Sequence, residues 1–398
     1  MTNTTKLTEA IRDSGIRSVN FFNGRLLTGE DLRSEQQAGR NARTLLGRAI
    51  GPGVAEGLFA ESKGTAEQLL IHITAGVAIN RLGQALTLAS EKDIALVEPP
   101  DNSVTGTAGF RVCGDASTGF YVAGSEFYVL TIAPAEYSEG RALVSGLASA
   151  TAACNTKLIV ETAQFRLLPL ELNLTSDAAH SQNLAAYSMF GATSLAKSFG
   201  DPFNMLLKPP PVPQGITDCD VPLALIQIVD GKLTFVDAWA VRRACAAPGS
   251  AGRWEALFDA GAERRVDAML YQFQAQLEAI PTSEQASMKA TDRFHFLPPV
   301  GLVPLAFSQF FDGLKVTGPL PIAPASVGPL VQAALHALPM NLDNDEAIWR
   351  FEVRGGANGA RTYDIFVSGY AIDLLPRYNQ SRLNAALFAV ANDAQPIV

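Results

Sequence analysis

The sequence predicts an α+β, β-dominated multidomain chain, in which short-strand meanders and hairpins are joined by a few amphipathic helices. Three observations carry that expectation. Apolar and polar residues alternate with a period of two through much of the chain after residue 53. Apolar residues at helical spacings of three and four are confined to a few stretches. Gly and Pro punctuate the remainder, with 33 and 23 copies among 398 residues, a length that suits two or three domains with their own cores.

Residues 1–20 are polar and are expected to be loosely ordered, or ordered only against a partner. "FFNGRLLTGEDLRSEQQ" follows, from Phe21 to Gln37. Asn23-Gly24 marks a tight turn, because both residues tolerate positive φ. Thr28 suits an N-cap, and Asp31 stands where a capping box places its acidic member. Glu30 and Asp31 open the helix while Arg40, Arg43 and Arg48 come late, an order that suits the helix dipole. Leu27 and Leu32 are spaced for a hydrophobic staple. A helix over 29–47 follows from these signals, broken by Gly51-Pro52-Gly53.

Beyond it, 54–60, 69–74, 77–80 and 84–88 read as short strands between Gly-containing turns, and "LLIHITAGVAINRLGQALTL" reads as a meander. Further strands are expected at 126–133 and 157–168. Leu184, Tyr187 and Phe190 keep helical spacing in an Ala-rich stretch, giving a second helix over 177–197. "KPPPVPQG", 208–215, reads as an extended, rigid linker. Asp230-Gly231 between two alternating runs signals a hairpin. A long amphipathic helix over 253–280 is marked by Phe258, Ala262, Val266, Met269, Phe273, Leu277 and Ile280, and Pro281 ends it. Residues 293–398 turn β-rich again. In "IWRFEVRGGANGARTYDIFVSGY", Trp349, Phe351 and Val353 share one face and Arg350, Glu352 and Arg354 the other, with a Gly-rich loop closing a hairpin. The expected division is an N-terminal docking segment and helix over 1–50, a β-rich domain over 51–207, linker, hairpin and long helix over 208–290, and a C-terminal β-rich domain over 291–398.

Charged residues make up 18% and apolar residues 47%. The charged share is below the roughly 25% of an average domain. No run of apolar residues is long enough to span a membrane, and the N-terminus lacks the basic start and apolar core of a signal peptide. Assembly in the cytoplasm is therefore expected. Surface this apolar is buried in a large core or in contacts with other subunits, and subunit contacts are the expectation. A net charge of −8 argues against nucleic acid, whose binders gather Lys and Arg on one face. Cys113, Cys154, Cys219 and Cys245 form no Cys-x-x-Cys pair and are expected to be reduced thiols, mostly buried.

Catalytic, cofactor-binding and metal-ligating sets are not found. His72, His180, His295 and His336 form no zinc-ligand spacing. "GSAG" at 249–252 has Pro248 where a nucleophile elbow needs Gly, so Ser250 reads as a helix cap. "GGANGA" at 355–360 lacks phosphate-cradle spacing. "DNDE" at 343–346 has Ile348 where a calcium loop needs Gly. Glu30 and Glu35, five apart, read as ordinary helix charges. Asn3 and Asn173 head glycosylation-type triplets, which mean little without a signal peptide.

One pattern has wider reach. Phe21, Phe22, Gly24, Leu26, Leu27, Thr28, Asp31, Glu35 and Gln36, then Gly76, Ala78, Ile79 and Gly83, resemble in type and order a family encoded with contractile injection systems, which are phage-tail-like particles. "VPLALIQIVDGKLTFVDAWAVRR" and "FLPPVGLVPL" extend the likeness over most of the chain. Gln37, Ala38 and Gly39 stand where members often show an aromatic residue and His. The resemblance implies a structural particle component of the baseplate, fibre or terminal-cap region. Phe21, Phe22, Leu26, Leu27, Thr28 and Leu32 are then the candidate interface, with Phe21 and Phe22 either anchoring a partner or plugging their own core. The implied partners are copies of the chain itself, as a trimer or hexamer, and other tail subunits; membrane contact is possible but has no support in the sequence. Two further readings remain open. One is a β-rich receptor- or surface-binding fibre or anchor module, for which three Trp residues (Trp239, Trp254 and Trp349) make a sparse sugar platform. The other is a cell-wall hydrolase, which needs a cleft with two carboxylates about 5–10 Å apart, or a metal site.

Overall fold

The computed structural model describes residues 16–63, 69–96, 126–141, 156–172, 180–191, 211–245, 262–334, 337–344, 346–355 and 359–369. They form the expected β-dominated α+β fold, with many strands in several small sheets. Helix α1 (Gly29–Ile50) comes first and runs three residues past its expected end.

Six short strands follow: β1 (Gly53–Gly57), β2 (Ala60–Lys63), β3 (Leu70–Ile73), β4 (Gly76–Ile79), β5 (Ala85–Leu88) and β6 (Lys92–Ala95). They do not make the expected meander. Strand β4 pairs with β1 and β5, whereas β3 pairs with β2 and β6, so β3 and β4 belong to different sheets. The expected strand over 54–60 is likewise split. Gly57 and Leu58 both take positive φ, 57° and 55°, and turn the chain from one sheet into the other. The Leu58 side chain is fully buried, which holds this bend in place.

The central sheet is built from β7 (Glu126–Arg141), β8 (Thr156–Leu170), β9 (Val221–Val229) and β10 (Lys232–Asp237), in the order β10-β9-β7-β8. The expected strands at 126–133 and 157–168 are present and longer. Asp230 and Gly231 carry φ of 50° and 71°, the doubled positive φ of a type I′ hairpin turn. Strand β9 pairs with β7, so one sheet runs across the boundary drawn near residue 208.

Alternation decides what each face of this sheet covers. Tyr128, Leu130 and Ile132, with Leu223, Ile226 and Ile228, pack on Leu58, Ile71, Ile73, Ala78 and Leu86 of the two small sheets. Val129 and Leu225 point the other way, beneath α2 (Ser181–Met189) and α3 (Ala262–Glu278), and meet Ala186, Tyr187, Phe190 and Met269. Helix α2 is capped at Phe190, and the chain turns away at Gly191, whose φ is 77°. The rest of the ranges expected for these helices, 177–179, 192–197 and 253–261, lies outside the described residues, as does 208–210 of the linker.

Helix α3 has a second task. Its Phe273 and Leu277 enter another core, with Phe294, Phe310 and Phe366. The Phe273 ring meets Phe366 edge-on, with centroids 5.3 Å apart. One helix thus shares its apolar face between the central sheet and the C-terminal part. There, α4 (Thr282–Gln285) starts just after Pro281, and α5 (Ala290–Arg293), β11 (Phe296–Leu297), β12 (Val300–Pro304), β13 (Val316–Ile322), α6 (Val327–Ala334), β14 (Met340–Asn341), β15 (Ile348–Gly355) and β16 (Ala360–Ser368) follow. Strands β15 and β16 form the expected antiparallel hairpin, while β13 adds to β15 in parallel. Phe351 and Val353 pack with Ile365 and Val367, where Val327, Leu330 and Val331 of α6 cover them. On the opposite face, Arg350 and Arg361 both donate to the buried Asp364.

Buried charge is paired in the central sheet too. The Asp220 carboxylate is fully buried and accepts from Arg166, Thr131 and Thr217. Beside it, Cys219 is buried and disulfide-bonded; Cys113 and Cys154 lie outside the described residues. This corrects the expectation of four reduced thiols. Cys245 is a half-buried thiol.

Candidate assembly interface

Residues 16–50 form a unit that rests on the β-sheets through a small footprint. Thr28 is the N-cap. Its hydroxyl accepts from the Asp31 amide at 3.1 Å, and the Asp31 carboxylate accepts from the Thr28 amide at 3.0 Å, closing a capping box. These bonds from Thr28, helped by Arg25, hold the Asp31 carboxyl below its ordinary pKa. Arg25 also donates to the Asn20 carbonyl at 2.8 Å. The Arg25 amide closes the turn onto the Phe22 carbonyl, with Gly24 at φ 90°, as the Asn-Gly signal predicts. The Val19 amide donates to Glu35. The segment before α1 is therefore folded back along its first two turns.

The second half of α1 touches the sheets. A Cβ on Gly47 would stand 2.1 Å from the Gly83 carbonyl oxygen, and one on Gly83 would stand 2.2 Å from the Thr44 carbonyl oxygen. Two backbones meet there with no room for side chains. Arg48 Nε donates to the Leu82 carbonyl at 3.1 Å. Arg40 bridges to Glu161 at 2.6 Å, and Glu161 lies opposite Glu136 across β7 and β8. Burial raises the Glu136 pKa; Arg40 opposes the rise and Glu161 adds to it.

Only Ala38 and Gly47 are buried along the whole of α1. Of the candidate interface residues, Phe22 is 63% exposed, Leu26 90% and Leu32 52%, with Phe21 and Leu27 also more than half exposed. The two phenylalanines therefore do not plug their own core. The staple expected between Leu27 and Leu32 buries little. Thr28 acts through its cap and sets the angle at which α1 leaves the turn. Sequence reasoning missed Leu45, Leu46 and Ile50, which are exposed on the last turns of α1. Their spacing was visible, but which helix face looks outward depends on the glycine contact with the β4–β5 turn.

The residues set aside as chemistry have ordinary partners. His72 Nδ1 lies 2.7 Å from Asp93, which also takes Lys63; these bonds, Lys63 first, lower the Asp93 pKa. His295 pairs with Asp343 at 3.2 Å, so the "DNDE" stretch spends that carboxylate on a histidine. His180 Nε2 contacts the Thr291 carbonyl. Trp239 stacks on Tyr271 and Trp349 is half-buried beneath α6. Ser250, Trp254, His336, Asn3 and Asn173 lie outside the described residues. Among the described residues, no group of three or more His, Cys, Asp or Glu side chains converges as a metal site, and no helix is long and apolar enough to cross a membrane.

No family model and no curated protein matches this chain.

Proposed function

We propose that this protein is a non-enzymatic structural component of a phage-tail-like contractile injection particle. It is assembled in the cytoplasm and joins copies of itself and neighbouring tail subunits in the baseplate, fibre or terminal-cap region. The observation that carries the reading is the state of the N-terminal unit. It is held by specific bonds, yet leaves Phe21, Phe22, Leu26, Leu27, Leu32, Leu45, Leu46 and Ile50 exposed. A firmly capped helix with an uncovered apolar face is suited to receive another protein. The residues behind the family resemblance support it, since they build this unit and its seat: Thr28 and Asp31 form the cap, Glu35 ties the preceding segment, and Gly83 receives the helix.

The test is binding of the purified full chain to sheath, tube and baseplate subunits of such a particle. The reading expects co-sedimentation with at least one of them, lost on Phe22→Asp with Leu26→Asp. A chain that sediments as a single copy and binds none of them contradicts it.

A further inference from the structure

We infer that α1 pairs with α1 of a second copy of this chain, antiparallel, about a two-fold axis at Gly39. The inference rests on the assembly reading in taking the α1 face as a docking face, and it adds the occupant and the geometry. On an α-helix, residues seven apart lie nearly in line. Leu32, Gly39 and Leu46 make such a line, with the two leucines exposed and at equal distances from Gly39. Thr28 and Ile50 extend it by equal steps at either end. An antiparallel mate centred on Gly39 thus lays Leu32 against the mate's Leu46, and Thr28 against its Ile50. A Cβ on Gly39 would meet only the Arg43 guanidinium, at 3.9 Å, so backbones can approach closely there.

Charge selects the second copy and its direction. Glu35, half-buried and with one carboxylate oxygen already accepting from the Val19 amide, and Arg43 stand four residues to either side of Gly39, on opposite flanks of the leucine line. The antiparallel pair sets each Glu35 level with the mate's Arg43, across a seam about 8–10 Å between axes. A parallel pair would set Glu35 beside Glu35 and Arg43 beside Arg43, which is repulsive. The surface is therefore complementary to itself, as an isologous contact requires. The exposed Phe21–Leu27 segment of each copy then lies beside the other's Ile50. Such pairs fit a hexamer made of three two-fold dimers and do not fit a lone cyclic trimer.

Cysteine cross-linking of the full chain tests this, with the unsubstituted chain as the blank for native cysteines. Gly39→Cys is expected to cross-link to itself under mild oxidation. Leu32→Cys and Leu46→Cys, whose own mates are about 20 Å away, are expected to cross-link only when the two variants are mixed and left to exchange. Arg43→Glu is expected to weaken self-association about tenfold. Self-linking of Leu32→Cys alone would overturn the antiparallel pair. An oligomer by sedimentation with none of these cross-links overturns the pairing while leaving the assembly reading in place. A single-copy chain with no cross-links overturns the pairing and the self-assembly on which it rests.

Discussion

Gly47 of the N-terminal helix and Gly83 of the β4–β5 turn are in backbone contact, each occupying space that a side chain on the other would need. This contact fixes where α1 sits and which of its faces is left outside. Gly47→Ala is expected to cost about 1–3 kcal/mol, the range for overpacking. The helix should lift away first. Hydrogen exchange of the α1 amides should rise well before that of β7 and β9. Gly83→Ala should cost more, because Gly83 also holds φ 84°.

Arg40 sits over the facing carboxylates Glu136 and Glu161. The folded-state pKa of Glu136 is raised, so its proton is bound more tightly in the folded chain. The associated stability is present at low pH and is lost as pH rises through that raised value. Arg40→Met removes the guanidinium that opposes the shift. The variant should lose up to about 1 kcal/mol at pH 7, and should fall off more steeply than the parent between about pH 4 and pH 7. Urea midpoints across that range check it.

Asp237 closes β10 by accepting from the Ala240 amide at 3.0 Å and from Gln272 of α3 at 2.8 Å. Burial raises its pKa against these bonds. The sign is the same: stability is lost as pH rises from the ordinary Asp value through the raised one. Asp237→Asn keeps an acceptor for Ala240, and once the Gln272 amide turns over, the Asn Nδ2 donates to Gln272 Oε1, which has no partner in the parent. The variant should be at least as stable as the parent at pH 7, with a flatter pH profile in thermal melts.

Arg166 is the charge partner of the fully buried Asp220. Arg166→Met is expected to cost about 3–5 kcal/mol, because it leaves a buried carboxylate without its cation. Adding Asp220→Asn should recover part of the loss, since Thr131 and Thr217 still surround the site. A double-mutant cycle from chemical denaturation separates the pair energy from the cost of the orphaned charge.

How much of this could be read from residues alone depended on range. Local devices were legible because their cause is local: the Thr28–Asp31 cap, the Asp230-Gly231 turn, the stop at Pro281, and the two faces of "IWRFEV". What failed was pairing at a distance. The run from Leu69 to Leu88 alternates as a meander would, yet the left-handed backbone at Gly57 and Leu58 sends neighbouring strands to different sheets. Nothing in the periodicity of 221–237 says that it will lie beside β7. The candidate site was half legible. Phe21 to Leu32 stood out by composition, whereas Leu45, Leu46 and Ile50 look like the core face of an ordinary amphipathic helix until the seat at Gly83 turns them outward.

The central claim is that the uncovered face of α1 is where chains join. Sedimentation velocity of the full chain at micromolar concentration, beside the Leu32→Asp, Leu46→Asp double variant, tests it most directly. The account predicts an oligomer for the parent and a single copy for the variant, with superimposable circular dichroism spectra. A parent that sediments as one chain, or a variant oligomer of unchanged size, would contradict it.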